Sequence, residues 1–248
     1  MIAASVPCSF IDYPGELSAV LFTQGCDLRC RYCHNPGLCP PVSRTSVSLE
    51  ETKQFLISRK GKLTAVTVTG GEPTLHKDLP GLLSFCRKLG FAVKLDTNGM
   101  RPLIVRDLAR SGLVSYVAVD VKTAPGVDAT RLTGAANQGA LALETLAHAV
   151  EAGVDCEART TVLRPDHDAI VLRHTAQCLA AAGVKTWRLQ PVESAHLSSA
   201  ATAFEPPSEA TLSTATMQAA SLGIDTVVRR GRAPATLPTN HPRRFEQA

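Results

Sequence analysis

The chain has 248 residues, 44% hydrophobic and 19% charged, enough to bury one sizeable core, and one catalytic domain is the default. The net charge of +4 is confined to the end, where Arg229, Arg230, Arg232, Arg243 and Arg244 stand against Glu246; residues 1–228 are neutral overall and offer no nucleic-acid surface. With no basic, apolar leader and no run of roughly 18 apolar residues, a soluble cytoplasmic protein with no membrane contact is expected, its eight cysteines reduced rather than paired in a secreted scaffold.

The first predicted strand is LSAVLF (17–22). Directly after it, GCDLRCRYCHNP places Cys26, Cys30 and Cys33 with three and then two residues between them. Such a loop can wrap three thiolates round a compact metal centre. A helix is predicted over 48–59, with Ser48 and Glu51 spaced for a capping box. The next strand, TAVTVT (64–69), runs into TGGEPT, where Gly70 and Gly71 permit close backbone approach and Glu72 supplies a carboxylate.

A helix at 78–89 leads to FAVKLD (91–96), which ends in Asp96, Thr97 and Asn98; a helix at 101–111 leads to YVAVDV (116–121), which ends in Asp120 and Lys122. A helix at 138–152 precedes DCEARTTV (155–162), offering Arg159, Thr160 and Thr161; a helix at 166–182 precedes KTWRLQ (185–190), offering Gln190. Taken singly, each of these polar residues is as readily a helix cap or a solvated loop residue. On successive strand ends they suggest one pocket, because parallel strands present their chemistry at the C-terminal rim. The pattern weakens after 191 with no evident large lid, then resumes with a helix near 208–222 and a last strand at 224–228; a Pro-rich, basic, mobile tail is expected over 229–248. Six strand–helix units imply a parallel sheet with right-handed crossovers, curled into a partial barrel, in the α/β class.

Three thiolates suit an iron–sulfur cluster with one iron left open. Zinc remains the competing metal, with His34 or Cys39 as a fourth ligand, although His34 adjoins Cys33 and Cys39 lies beyond Pro36 and Gly37. Cys39 is read as a free thiol, and Cys8, Cys86, Cys156 and Cys178 as small apolar residues. His167 and His196 are read as surface residues.

The triplet, with Tyr32 before its third cysteine, resembles the signature of the radical S-adenosylmethionine (SAM) superfamily. FIDYPGELSAVLFTQGCDLRCRYCHNP resembles more narrowly the activators of glycyl radical enzymes, and within them those of anaerobic ribonucleoside-triphosphate reductase. The similarity runs from about residue 8 to about 191. It implies a partial (β/α)6 TIM-like barrel of the radical SAM type over 1–228. It further implies a [4Fe–4S] cluster on Cys26, Cys30 and Cys33 that reductively cleaves SAM to a 5′-deoxyadenosyl radical.

By the same resemblance, Gly70, Gly71 and Glu72 bind the methionine amino group through backbone atoms, and Asn35 positions the cofactor. Tyr32 packs on the adenine. Asp96, Thr97, Asp120 and Lys122 line the pocket, with Asp96 and Asp120 holding a monovalent cation; Arg159 and Gln190 are further candidates. The implied partners are a glycyl radical enzyme, with anaerobic ribonucleotide reductase foremost, and a flavodoxin or ferredoxin as electron donor. A small-molecule substrate, as in deazaguanine-forming relatives, and a non-catalytic metal-binding module are the alternatives.

Overall fold

The apolar runs become strands of one sheet. A computed structural model describes residues 1–41, 47–192 and 204–230. The strands are β1 (Ile2–Ser9), β2 (Ser18–Thr23), β3 (Ala65–Gly70), β4 (Ala92–Thr97), β5 (Tyr116–Asp120), β6 (Asp155–Val162), β7 (Thr186–Pro191) and β8 (Asp225–Val228). They lie side by side in chain order, β1 antiparallel to β2 and every later pair parallel. The helices are α1 (Leu49–Arg59), α2 (Leu79–Lys88), α3 (Pro102–Arg110), the single turn α4 (Thr130–Thr133), α5 (Gln138–Glu151), α6 (Ala169–Ala181) and α7 (Glu209–Ser221). Among the described residues β1 and β8 do not pair, so the barrel is open between them.

The six expected parallel strands are present, the run at 224–228 supplies a seventh, and β1 is an eighth that the sequence does not announce. IAASVPCS mixes small and polar residues, carries Pro7 and lies at an edge, where alternation is weak. The capping box forms at α1, with Glu51 N donating to Ser48 Oγ at 3.1 Å and Ser48 N donating to Glu51 Oε2 at 2.9 Å. Helix α6 starts three residues later than the expected 166, because the Asp168 carboxylate accepts from Ile170 N and Val171 N and fixes the N-terminus there.

Alternation along each strand sorts the side chains onto two faces. The outer face sends Leu21, Val66, Val68, Val93, Leu95, Val117 and Val119 into one core with Leu56, Leu83, Val105, Leu146 and Leu172 from the helices. Each fully buried side chain of this kind contributes about 1.5–3 kcal/mol. The inner face is apolar at β2, where Val20 and Phe22 pack on Leu38, and charged from β4 to β7. Below it, the β1–β2 connection turns under the strands' N-terminal ends, its Tyr13 ring 5.7 Å from that of Tyr116.

Candidate functional site

The cysteine loop follows β2 and is fastened at both ends by backbone hydrogen bonds. At its start, Gly25 N donates to Leu38 O at 2.7 Å and Cys26 N to Cys39 O at 3.2 Å; farther along, Arg29 N donates to Thr133 O at 2.8 Å and Arg31 N to Leu132 O at 3.1 Å, so α4 braces it. From the neighbouring strand end, Gly71 N donates to Thr23 O at 2.8 Å and Glu72 N to Gly25 O at 2.7 Å. The two glycines are required by this seam. A Cβ on Gly71 would lie 2.1 Å from Gly25 O, and one on Gly70 2.2 Å from Thr23 N. The close backbone approach expected at this turn is thus made first by the chain itself.

The Glu72 carboxylate itself does not line the cleft. It is fully buried and faces away from the cavity: Oε1 accepts from Thr74 N at 3.0 Å, Thr74 Oγ1 and Thr97 Oγ1 at 2.8 Å, and Oε2 accepts from Asn98 N at 2.7 Å. Burial raises its pKa against the pull of these four donors. Glu72 therefore ties the β3 and β4 ends together. Asn98 continues the tie, donating through Nδ2 to Asp27 Oδ1 at 2.8 Å beside Cys26.

One cleft of about 170 Å³, open to solvent, gathers the other expected residues at the C-terminal rim. Cys26, Cys30, Cys33, Tyr32, Asn35, Gly70, Gly71, Asp96, Thr97, Asp120, Lys122 and Gln190 all line it, together with Arg159. Burial pushes the Cys30 thiol up to about 11, while hydrogen bonding with Cys39 brings Cys33 down to about 6. Cys39 Sγ lies 3.9 Å from Cys33 Sγ.

Two groups test whether a cluster and SAM fit here. Among the described residues no three His, Cys, Asp or Glu side chains are gathered closely enough to hold a single metal ion. The donor set is three thiols spread round one cleft, which suits a multi-iron cluster better than one zinc ion. The Tyr32 hydroxyl is buried without a hydrogen-bond partner among the described residues, and a polar ligand would satisfy it. The Tyr32 ring packs edge-on against Phe204 at 6.2 Å, with Leu132, Leu163 and Val192 around it. The residues fit both groups.

Below the thiols, Arg159 Nη1 donates to Asp96 Oδ2 at 3.0 Å and Arg159 Nε to Asp120 Oδ1 at 3.0 Å. Lys122 Nζ donates to Asp120 Oδ2 at 3.1 Å, and Lys94 Nζ donates to Asp96 Oδ1. Burial opposes ionisation of both carboxyls, yet Lys122 and Arg159 hold Asp120 down at about 2, and Arg159 and Lys94 keep Asp96 below the ordinary range. The monovalent cation expected on Asp96 and Asp120 would meet carboxylates whose charge is already compensated, since each of the four oxygens accepts from a protein cation.

His167 is not a surface residue. It is 1% exposed, accepting from Leu163 N on Nδ1 at 3.3 Å and meeting Lys122 O with Nε2 at 3.0 Å, and burial lowers its pKa. The accepting Nδ1 places the proton on Nε2, so the neutral ring holds the Lys122 backbone. Gln138 acts similarly, its amide donating to Asn98 O at 2.8 Å and Asp120 O at 2.6 Å while its oxygen accepts from Lys122 N at 2.9 Å. His196, residues 193–203 of the 191–228 stretch expected to lack a large lid, and residues 231–248 of the tail lie outside the described residues.

Residues 20–175, covering every thiol and every strand end of this cleft but Gln190, match the family model described as the radical SAM superfamily. The chain belongs to that superfamily. A relative from Methanocaldococcus jannaschii, named a glycyl-radical enzyme activating enzyme, is 38% identical over 126 residues, 49% of this chain and 50% of its own. The 7-carboxy-7-deazaguanine synthase of Aquifex aeolicus is 37% identical over 87 residues, 34% of this chain and 37% of its own. The chain thus spans half or less of the curated relatives it matches. A solved radical SAM methyltransferase from Sphaerobacter thermophilus superposes with a TM-score of 0.69 at 17% identity, over 92% of this chain and 70% of its own, which places this radical SAM chain in the same fold.

Proposed function

We propose that this protein is a glycyl-radical-enzyme activator that uses a [4Fe–4S] cluster and SAM, with an anaerobic ribonucleotide reductase as partner and a flavodoxin or ferredoxin as electron donor, in the cytoplasm. The supporting observation is the convergence of three cysteine thiols and the Asp96, Thr97 and Asp120 strand ends on one cleft. Held by Cys26, Cys30 and Cys33, a [4Fe–4S] cluster would supply the low-potential one-electron chemistry that SAM cleavage and hydrogen removal from a glycine require.

This chain's residues do the remaining work. Cys26, Cys30 and Cys33 hold the cluster, and the Gly70–Gly71 turn meets the methionine end through backbone atoms. Thr97, Asp120 and Lys122 orient the rest of the cofactor, with Asn35, Gln190 and Tyr32 along its walls. The open edge between β1 and β8 leaves access for a peptide loop, as direct hydrogen transfer needs near contact. Residues 1–228 form the catalytic unit in this reading, with a basic tail after it.

The test is anaerobic incubation of the reconstituted protein with dithionite, SAM and glycyl radical enzymes, followed by electron paramagnetic resonance. A glycyl radical on the reductase, with deuterium from the labelled glycine appearing in 5′-deoxyadenosine, is the expected result. Turnover of a small metabolite with no protein radical would move the assignment to the deazaguanine-synthase type, and tightly held zinc with no SAM cleavage to a binding module.

A further inference from the structure

Lys94 stands two residues before Asp96 on β4, so both side chains face the barrel interior. At 2% exposure it is among the largest fully buried side chains of the protein. Burying an ammonium is costly unless the charge is paired, and among the described residues this one pairs with Asp96 alone. It lies below the cleft, which Asp96 lines and Lys94 does not, beside Arg159 and Glu157.

The charge balance of the floor is specific. Two carboxylates, Asp96 and Asp120, face three fixed cations, Lys94, Arg159 and Lys122. Each of the four oxygens accepts from one of them. An alkali ion between the carboxylates would raise the local excess from one positive charge to two where screening is weak. An ammonium has the charge of such an ion and donates to the oxygen that the ion would otherwise coordinate.

We infer that the Lys94 ammonium is a built-in substitute for a monovalent cation, positioning Asp96 and, through Arg159, Asp120 so that the cofactor binds without Na⁺ or K⁺. Lys94 is then a positioning residue whose tether to β4 makes the charge permanent. The inference rests on the SAM-binding reading above, and one arm of its test is independent of that reading.

In the first arm, crystals of the cluster-free protein, wild type and Lys94→Ser, are soaked in rubidium chloride and the anomalous signal is measured. A peak between Asp96 and Asp120 is expected in the variant and none in the wild type. In the second arm, SAM affinity of the cluster-loaded protein is measured in choline, sodium and potassium chloride at one ionic strength. Wild-type affinity should be the same in all three, whereas Lys94→Ser should bind about tenfold more weakly in choline, a loss of ~1.4 kcal/mol, and recover in potassium.

Rubidium on Asp96 and Asp120 of the wild type, or a wild-type affinity that falls in choline, overturns the inference without need of any variant. So does a Lys94→Ser protein that binds SAM normally in choline. If Lys94→Ser does not fold, Lys94→Gln is used in both arms. A loaded protein that binds no SAM in any salt defeats the functional reading alone, and the rubidium arm then decides this one.

Discussion

The two faces of β4 carry opposite chemistry. Val93 and Leu95 point outward, fully buried against the helices in the main core. Lys94 and Asp96, one residue away along the same backbone, point inward as a buried ion pair beneath the cleft. The pattern repeats on β6, where Ala158 and Val162 enter the core while Glu157 pairs with Arg188 and Arg159 bridges two aspartates. One strand therefore supplies apolar burial on one face and fixed charge on the other, so its stability and its chemistry can be disturbed separately.

The largest effect is expected at the thiols. Replacing Cys26, Cys30 or Cys33 singly by Ala should take reconstituted iron from about four per chain to near zero. Cys86→Ala, on the outer, apolar side, should leave it unchanged. Iron and sulfide analysis after anaerobic reconstitution decides between them, and loss of iron in Cys86→Ala would erase the distinction between faces.

A sharper contrast sets Arg159→Met against Leu95→Ala. Removing the guanidinium takes one of two cationic partners from each carboxylate, leaving Asp96 to Lys94 and Asp120 to Lys122, and should weaken SAM binding about tenfold, a loss of ~1.4 kcal/mol. Leu95→Ala should lower unfolding free energy by about 2–5 kcal/mol while the folded fraction binds SAM as before. Isothermal titration and urea unfolding on each variant separate the two. Equal losses of affinity would mean that the faces are not independent.

The smallest effect is in acid. Asp96 and Asp120 have folded pKa values below their ordinary 3.8, Asp120 at about 2, so their contribution is complete above the ordinary value and is lost as pH falls through the folded one. The stability difference between wild type and Asp120→Asn, read from urea midpoints of the cluster-free protein, should shrink from pH 5 to pH 3. A difference that grows on acidification would show that the carboxylate is held protonated instead.

Much of this was legible in the sequence, for reasons that also show where it stopped. β-branched runs and glycine stops marked six parallel strands, and position at strand ends brought Asp96, Thr97, Asp120 and Lys122 to one rim. Edge strand β1 lacked a face to alternate for. Glu72, at a strand end, looked like a ligand, yet only the folded chain shows Thr74, Thr97 and Asn98 closing round it. The charged interior was signalled by lysine and aspartate alternating with apolar residues in AVKLDT, a period-two pattern that strand-end reasoning passes over. His167 and Gln138 brace backbone carbonyls from distant elements, and no local signal distinguishes them from surface residues.

The central claim is that the three thiolates and the rim cleft seat the cofactor's methionine end on the cluster. It is tested most directly by electron–nuclear double resonance on the reduced, reconstituted protein with SAM labelled by ¹⁵N at the amino group and ¹⁷O at the carboxylate. Hyperfine coupling of both labels to the cluster is the predicted result. Tight SAM binding with neither label coupled would contradict it.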